Sequence, residues 1–535
     1  MWLTVMKIRK NTLGTHGDSC GTKQSHKKLH NNKNLTPEIV EAAMQKHAEL
    51  IAQEMQREKQ QGLGRPINSF ESNGKKFVEV GGRIFSVGNS KTFHDFLFDY
   101  IVSVLGGKWG TLEIEKEYKK RNPIIQWYQH LCDFQRDHLM VKGEVVSAEM
   151  TGAVSGYLNL AYNLYLLAHN VEIQEMLIKR LKNNDNFAGA YYETFVAAAF
   201  IKAGFNLEFE NEQDGQTTHC EFIATYTKTG AKFSVEAKAR DMNKKNADVK
   251  NQIYNALKKD AKYTRVIFIE LNIEDGDYTI HPATFYKEAI SYIREYESKK
   301  KELPPAYIIV TNFPFRYALE STQFRWSAIG EGFKIPDFKA DYLYPNIRRA
   351  LENEKKHYEI YMLMDSMKDC HNIPSTFNGE ISEFIFGKKN KERLMIGHKY
   401  LIPLKSGEEA VGVLKDACVV ESEKMIYGTY NTENGESIIC RAPMCEEEMR
   451  AYKQYPETFF GVFKNIVHNA TSPLDLYKWL YETYKMTSKE NLLEFMKKSD
   501  SDQIIYRDRN HEDILKIYCE GLASQMWRER QEKQH

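Results

Sequence analysis

The sequence lacks the features that define several common classes of protein. Its eight cysteines, among 535 residues, follow no spacing pattern, which argues against a disulfide framework and favours a reducing compartment. Lysine and arginine number 74 against 73 aspartate and glutamate, and the resulting net charge of +1 indicates no particular partner. The apolar stretch at the N-terminus is too short for a secretory signal. We therefore predict a cytoplasmic protein.

No long run of apolar residues suits a membrane span. The most apolar long segment, residues 152–170, contains Asn159 and Asn163 together with many small and aromatic residues. Such a composition predicts a buried helix of a soluble domain, and we expect no membrane partner.

The chain contains no internal repeat, but its composition and periodicity change along its length. These changes predict a disordered tail over 1–33, a mostly helical accessory domain over 34–182, an α/β core over 183–335, a mixed connecting region over 336–397, a small β module over 398–445 and a helical region over 446–535.

The predicted α/β core has the element order α-β-β-β-α-β-α-β. Its first helix ends at Gly204, and the apolar runs after it have the length and composition of short strands. The predicted strands cover 206–212, 220–227, 232–240, 265–272 and 306–313, and the two later helices cover 245–262 and 282–301. This order predicts a compact mixed sheet flanked by helices.

The third strand of this core, "FSVEAKAR" (233–240), carries two charged residues among small and apolar ones. Strand side chains alternate between the two faces of a sheet, so Phe233, Val235, Ala237 and Ala239 share a face that we expect to be core. Glu236 and Lys238 share the other face. Taken alone, this pair suits a solvated cross-strand pair as well as an active site.

Two further carboxylates make an active site the stronger interpretation. Glu193 lies on the apolar side of the first helix, where a carboxylate is costly unless it is paired or bound to a metal. Glu221 lies on the second strand. Together with Glu236 they predict a magnesium site at which Lys238 orients a water or offsets charge on a phosphate. A surface position for Glu193 remains the alternative.

The ordered set of residues resembles the PD-(D/E)xK nuclease superfamily, which has the restriction-endonuclease-like fold. The resemblance covers about residues 183–315 and matches Glu193 to the helical acid, Glu221 to the strand Asp, and Glu236 with Lys238 to the paired motif. Gln252 matches a glutamine often found on the following helix, although a plain helix-surface amide explains it equally well. The chain departs from the family in having Glu221 for the usual Asp and no preceding Pro.

Basic residues crowd the segment that follows the third strand. A phosphodiester backbone could run along them, although lysines on a solvated helix are an equally good interpretation. The predicted nucleic-acid contacts are Arg240, Lys244, Lys245, Lys250, Lys258 and Lys259.

The resemblance implies a magnesium-dependent nuclease, with Mn²⁺ as a substitute metal, that hydrolyses phosphodiester bonds. The habits of the superfamily favour DNA over RNA, and its stand-alone bacterial members suggest a role in antiviral defence. The large accessory regions suggest that the nuclease activity is gated, by homo-oligomerisation or by a regulatory partner protein. The alternatives are an inactive nuclease fold that binds nucleic acid or serves assembly, and a helical interaction scaffold with a merely structural α/β unit.

Overall fold

The computed structural model describes most of the chain from residue 36 onward. The described residues are 36–88, 90–139, 144–172, 175–209, 220–239, 249–274, 283–313, 315, 318–340, 346–369, 372–387, 392–404, 407–465, 470, 472–496, 506 and 508–532. The predicted disordered tail (1–33) lies outside them. No helix in these ranges combines the length and the apolar character needed to cross a membrane.

Helices and strands alternate along the described residues. The helices are α1 (Pro37–Gln61), α2 (Phe93–Leu105), α3 (Gly107–Ile114), α4 (Pro123–His138), α5 (Gly152–Asn170), α6 (Glu175–Leu181), α7 (Phe187–Lys202), α8 (Val249–Lys258), α9 (Ala283–Lys299), α10 (Ile347–Lys356), α11 (Tyr358–Lys368), α12 (Ser382–Phe386), α13 (Glu446–Gln454), α14 (Pro473–Tyr484), α15 (Lys489–Phe495) and α16 (His511–Glu532). The strands are β1 (Asn68–Ser72), β2 (Lys75–Val80), β3 (Arg83–Ser86), β4 (Phe205–Phe209), β5 (Phe222–Tyr226), β6 (Lys232–Ala239), β7 (Thr264–Glu270), β8 (Ala306–Asn312), β9 (Ser327–Phe333), β10 (Lys399–Pro403), β11 (Glu409–Val420), β12 (Met425–Thr432) and β13 (Ser437–Pro443).

The chain forms two compact units. The smaller unit combines the described residues up to 57 with those between 379 and 468, and the larger combines those between 58 and 378 with those from 469 onward. In the smaller unit β10–β13 form an antiparallel four-stranded sheet in sequence order. Its core contains Tyr400, Leu414 and Phe459.

The larger unit is built around a six-stranded mixed sheet with the strand order β4-β5-β6-β7-β8-β9. Strands β4, β5 and β6 are antiparallel, β6, β7 and β8 run parallel, and β9 returns antiparallel to β8. The predicted α/β class, with a mixed sheet flanked by helices, is confirmed. Strand β9 completes the sheet beyond the predicted order.

Helices cover both faces of this sheet. On one face α7 packs on β4 and β6, where Val196 and Phe200 join Val235 and Phe268 in the core. On the other face α8 and α9 enclose a second core that includes Ile267. The two faces are therefore both buried, as parallel strands require.

Behind α7 lies a helical layer that the sequence also predicts. Helix α5 is buried along nearly its whole length and packs against α2, α4 and α7. The run 152–170 is thus the buried helix expected from its small and aromatic residues.

The turn from α7 into β4 depends on Gly204. Its φ of +89° lies in the left-handed region, which glycine adopts without strain. The Gly204 carbonyl accepts a hydrogen bond from the Thr227 backbone N–H, which joins this turn to the end of β5. The helix therefore ends where predicted, and Glu193 is held at a defined place above the sheet.

Candidate active site

The site begins with the two faces of β6. Phe233, Val235 and Ala237 belong to the α7-facing core, as the alternation predicts. The opposite face is not a solvated surface, because Glu236 is only 1% exposed and Ser234 is also buried. A solvated pair therefore does not describe Glu236 and Lys238.

Glu236 carries a buried charge held by two ammonium groups. Its Oε1 lies 2.5 Å from Lys238 Nζ and 2.8 Å from Lys259 Nζ. Its Oε2 is buried and accepts no hydrogen bond from any residue that the structure describes. This carboxylate can therefore accept a further bond on Oε2.

Two other buried carboxylates of the same sheet show how a structural carboxylate is satisfied. Glu270 accepts hydrogen bonds on Oε1 from the backbone N–H groups of Asn272 and Phe313 and on Oε2 from the Thr311 hydroxyl. Glu331 accepts on both oxygens as well, from Arg294 and the Ala340 backbone.

Buried carboxylates are normally saturated in this way. Glu236 is not, and this difference makes it the strongest candidate for a functional group on this sheet.

Glu221 stands beside Glu236 at the start of β5. Its backbone N–H donates to the Val235 carbonyl at 2.9 Å, which fixes the residue next to the second half of β6. Its Oε1 lies 3.7 Å from Lys238 Nζ and 3.8 Å from Lys259 Nζ. Glu221 and Glu236 thus share the same two lysines.

The charges of this group shift the ionisation of its members. Burial raises the pKa of the Glu236 carboxyl, and Glu221 adds to the rise against the attraction of Lys238 and Lys259. For Lys238, burial acts to lower the pKa, but the attraction of Glu236, Glu221 and Glu193 outweighs it, so the pKa is raised. The carboxylates around Lys238 therefore favour its protonated form.

Glu193 is placed near the site but is engaged by a different cation. Arg180, on α6, holds both of its oxygens, with Nη1–Oε1 at 2.7 Å and Nη2–Oε2 at 2.5 Å. A two-pronged arginine–carboxylate pair of this kind is strong and well oriented. Glu193, Arg180 and Glu221 line one cavity, so the helical acid and the strand acid face the same space.

Gln252 lies on α8 at the end of β6. Its Nε2 donates to the Ala239 carbonyl at 3.2 Å, which attaches α8 to the strand that carries Glu236. Its Oε1 is buried without a hydrogen-bond partner among the described residues. A second buried acceptor oxygen without a hydrogen-bond partner therefore lies near the end of β6.

The predicted nucleic-acid contacts are placed unevenly. Lys250 forms an ion pair with Glu295 at 3.0 Å, and the Lys258 ammonium stands 4.4 Å from the centre of the Tyr254 ring. Lys259 points into the site. Three other predicted contacts lie outside the described residues: Arg240, Lys244 and Lys245.

The oxygen donors present here suit a hard divalent cation. Magnesium binds through one or two carboxylates and keeps several waters, and Glu221 with Glu236 supplies such a pair. Oε2 of Glu236, which accepts no hydrogen bond from a described residue, is the atom that would contact the ion. Within the described ranges, no group of three or more His, Cys, Asp or Glu side chains is close enough to hold a metal ion, so Glu193 does not join the other two carboxylates in one cluster.

The sequence does not predict the roles that two cations, Arg180 and Lys259, have in the structure. Arg180 precedes Glu193 on a separate helix, and no motif links the two residues. The sequence predicts Lys259 on a nucleic-acid-binding surface. Its inward direction is missed because no residue pattern indicates the turn after α8. The adjacent pair Lys258–Lys259 separates in the structure into an outer and an inner lysine.

Comparisons of the chain with protein-family models, with curated proteins and with solved structures give no match. Function is therefore inferred from the chemistry of the site.

Proposed function

We propose that the chain is a metal-dependent nuclease that hydrolyses phosphodiester bonds. The observation that carries the proposal is the pair Glu236 and Lys238 on one buried face of β6, with Oε2 of Glu236 unpaired among the described residues. The element order around it resembles the restriction-endonuclease-like fold. Glu221 supplies a second carboxylate next to the pair.

Each residue of the group has a distinct task in this proposal. Glu221 and Glu236 would hold the magnesium ion, with Gln252 Oε1 near the end of β6 as a neutral oxygen donor. The bound ion would supply a water of lowered pKa and an electrophilic contact to the phosphate. Lys238, kept protonated by its carboxylate neighbours, orients the attacking water and offsets the negative charge that builds on the phosphate.

Glu193 is assigned a secondary role, because Arg180 occupies both of its oxygens. In that arrangement it contributes negative charge that keeps Lys238 protonated rather than a ligand. The resemblance makes Glu193 a metal ligand. That role requires Arg180 to release at least one oxygen.

A specific observation favours the second candidate, an inactive nuclease fold that binds nucleic acid or serves assembly. Each of the three carboxylates already has a cationic partner in Arg180, Lys238 or Lys259. Three positive groups balance three negative ones, as in a charge network that only stabilises the fold. Glu236 Oε2 and Gln252 Oε1 have no hydrogen-bond partner among the described residues, which argues against a purely structural network.

Four further properties belong to the same proposal. DNA as the substrate, antiviral defence as the role, a cytoplasmic location and an oligomeric or regulatory partner all derive from the resemblance or from composition.

The test is to incubate the purified full chain with plasmid, linear duplex DNA, single-stranded DNA and RNA, each with Mg²⁺, Mn²⁺ or chelator. The proposal expects metal-dependent cleavage of at least one substrate and none with chelator. Salt-sensitive binding without cleavage under any condition would favour the inactive fold. If the chain shows no binding and no cleavage with any substrate, both candidate functions are contradicted.

A further inference from the structure

Lys259 is a member of the site rather than of the surface around it. Its ammonium lies 2.8 Å from Glu236 Oε1 and 3.8 Å from Glu221 Oε1, and its side chain is 24% exposed. Lys238 contacts the same two oxygens from β6. Two ammonium groups thus converge on two carboxylates.

The backbone that carries Lys259 is fixed to the sheet. The Lys259 carbonyl accepts a hydrogen bond from Arg265 Nη2 at 2.7 Å, and Arg265 lies on β7. A few residues later, the Tyr263 N–H donates to the Ser234 hydroxyl at 3.1 Å, on the same face of β6 as Glu236. The Cys220 thiol, next to Glu221, donates to the Asp260 carbonyl at 3.6 Å.

These contacts hold the segment after α8 over the two carboxylates. The inward direction of Lys259 is therefore built into the fold, in contrast to Lys258, which turns outward onto Tyr254.

The position of the Lys259 ammonium conflicts with a divalent cation at the same two carboxylates. A cation bound at Oε2 of Glu236 would lie close to the ammonium on Oε1, and two positive groups on one carboxylate repel each other strongly where water is scarce. The two lysines differ in how easily they can leave. Lys238 is part of β6, a strand paired on both sides, whereas Lys259 lies just beyond the last residue of α8 and outside any strand.

We propose that Lys259 is a resident cation of the site, which neutralises Glu236 and Glu221 in the metal-free protein and must withdraw before a divalent metal binds. The inference rests on the proposed function, because it assigns the metal to the same two carboxylates. It makes Lys259 a positioning residue that sets the metal concentration at which the site fills.

The test is a calorimetric titration of the full chain with Mn²⁺, without nucleic acid, at fixed pH and low ionic strength. Lys259→Met removes the competing charge and keeps much of the apolar stem, so the Kd for Mn²⁺ should fall by at least about tenfold. Lys259→Arg keeps the charge and should leave the Kd near the wild-type value. Lys258→Met is the matched control, since it removes the neighbouring lysine without touching a site carboxylate, and should also leave the Kd unchanged.

The possible failures are distinguishable. If wild type binds Mn²⁺ and Lys259→Met, shown by circular dichroism to be folded, binds it no more tightly, the inference is wrong while the metal site of the proposed function stands. An equal gain in Lys258→Met would attribute the effect to general surface charge and would also overturn the inference. If no variant binds Mn²⁺ at millimolar concentration, the metal dependence of the proposed function fails, and the inference fails with it.

Discussion

At Glu236 the cost of burying a charge is offset by two ammonium groups and by no backbone donor among the described residues. Removing one partner of a buried ion pair usually costs about 3–5 kcal/mol, because the other charge is left uncompensated. Here each lysine can stand in for the other on the same oxygen. The stability of the site should therefore depend on the two lysines jointly.

The first prediction is a non-additive loss of stability. Lys238→Met and Lys259→Met should each lower the free energy of unfolding modestly, and the double variant should lower it by clearly more than the sum of the two. Urea denaturation of the four proteins measures this. Adding Glu236→Gln to the double variant removes the uncompensated charge and should restore part of the loss. Additive losses would show that the lysines do not share Glu236.

The second prediction separates charge from reach at Glu221. Glu221→Gln keeps the length of the side chain and removes the charge, so metal affinity and cleavage should collapse, since hard cations prefer carboxylates. Glu221→Asp keeps the charge and should retain cleavage at higher magnesium.

The competing view is that Glu221 merely pairs with Lys238 and Lys259 on a partly exposed strand end, a contact worth at most about 1 kcal/mol. Titrating Mg²⁺ against cleavage rate for the two Glu221 variants and wild type decides the matter. Coincident curves would remove Glu221 from the site.

At the scale of the elements, glycines mark where helices can and cannot accept a side chain. Gly152 begins α5, and a Cβ there would lie 2.4 Å from the Ala318 carbonyl oxygen and 2.6 Å from that of Phe315. Gly189 is in the first turn of α7, and a Cβ there would meet no described atom within 4 Å. Close contacts therefore require glycine at position 152 but not at position 189.

The third prediction follows from this pair. Gly189→Ala should stabilise the protein by about 0.5–1 kcal/mol, because alanine loses less backbone entropy in a helix. Gly152→Ala should destabilise it by about 1–3 kcal/mol, because the methyl group would force backbone carbonyls apart. Thermal or urea unfolding measures both. Equal effects in the two variants would contradict the close approach at α5.

The elements themselves follow largely from local patterns in the sequence. Alternation along 233–239 predicts which face of β6 is core, and the alanine-rich run before Gly204 predicts α7. Strand β9 is missed because "SAIGEGF" has two glycines and only one β-branched residue. Its glycines are needed for contact, since a Cβ at Gly332 would lie 2.5 Å from the Phe338 carbonyl oxygen. Such a tertiary requirement leaves no periodic signal.

At the scale of the whole molecule, the sequence predicts less, because distant segments meet. The smaller unit joins described residues up to 57 with those between 379 and 468, and no sequence pattern in either segment predicts that the two associate. The site follows the same division. Glu236 and Lys238 come from one strand and are predictable, whereas Arg180 and Lys259 reach the carboxylates from separate elements.

The fourth prediction concerns acid sensitivity. Burial lowers the pKa of His357. Its Nδ1 forms a hydrogen bond with the Tyr307 hydroxyl, its Nε2 lies 3.3 Å from Asp337 Oδ1, and Lys356 is the preceding residue. Because the folded pKa lies below the unfolded value of about 6.5, the unfolded state binds the proton more readily. This group therefore stabilises the fold fully above about pH 6.5, and its contribution is lost as the pH falls below that value.

The measurement is the free energy of unfolding between about pH 7.5 and pH 5 for wild type and His357→Gln. The variant should lose less stability across this range than wild type, since it has no proton to take up at this position. Parallel curves would contradict the depressed pKa of His357.

The proposed nuclease activity depends above all on Glu236 and Lys238 acting as a catalytic pair. The measurement is the single-turnover cleavage rate of Glu236→Gln, Lys238→Met and the control Lys232→Met, which removes an exposed lysine from the same face of β6. All three variants should keep the wild-type circular dichroism spectrum. Glu236→Gln and Lys238→Met should each be slower by about 10²- to 10⁴-fold, and Lys232→Met should cleave like wild type. Cleavage near the wild-type rate by folded Glu236→Gln or Lys238→Met would contradict the assignment.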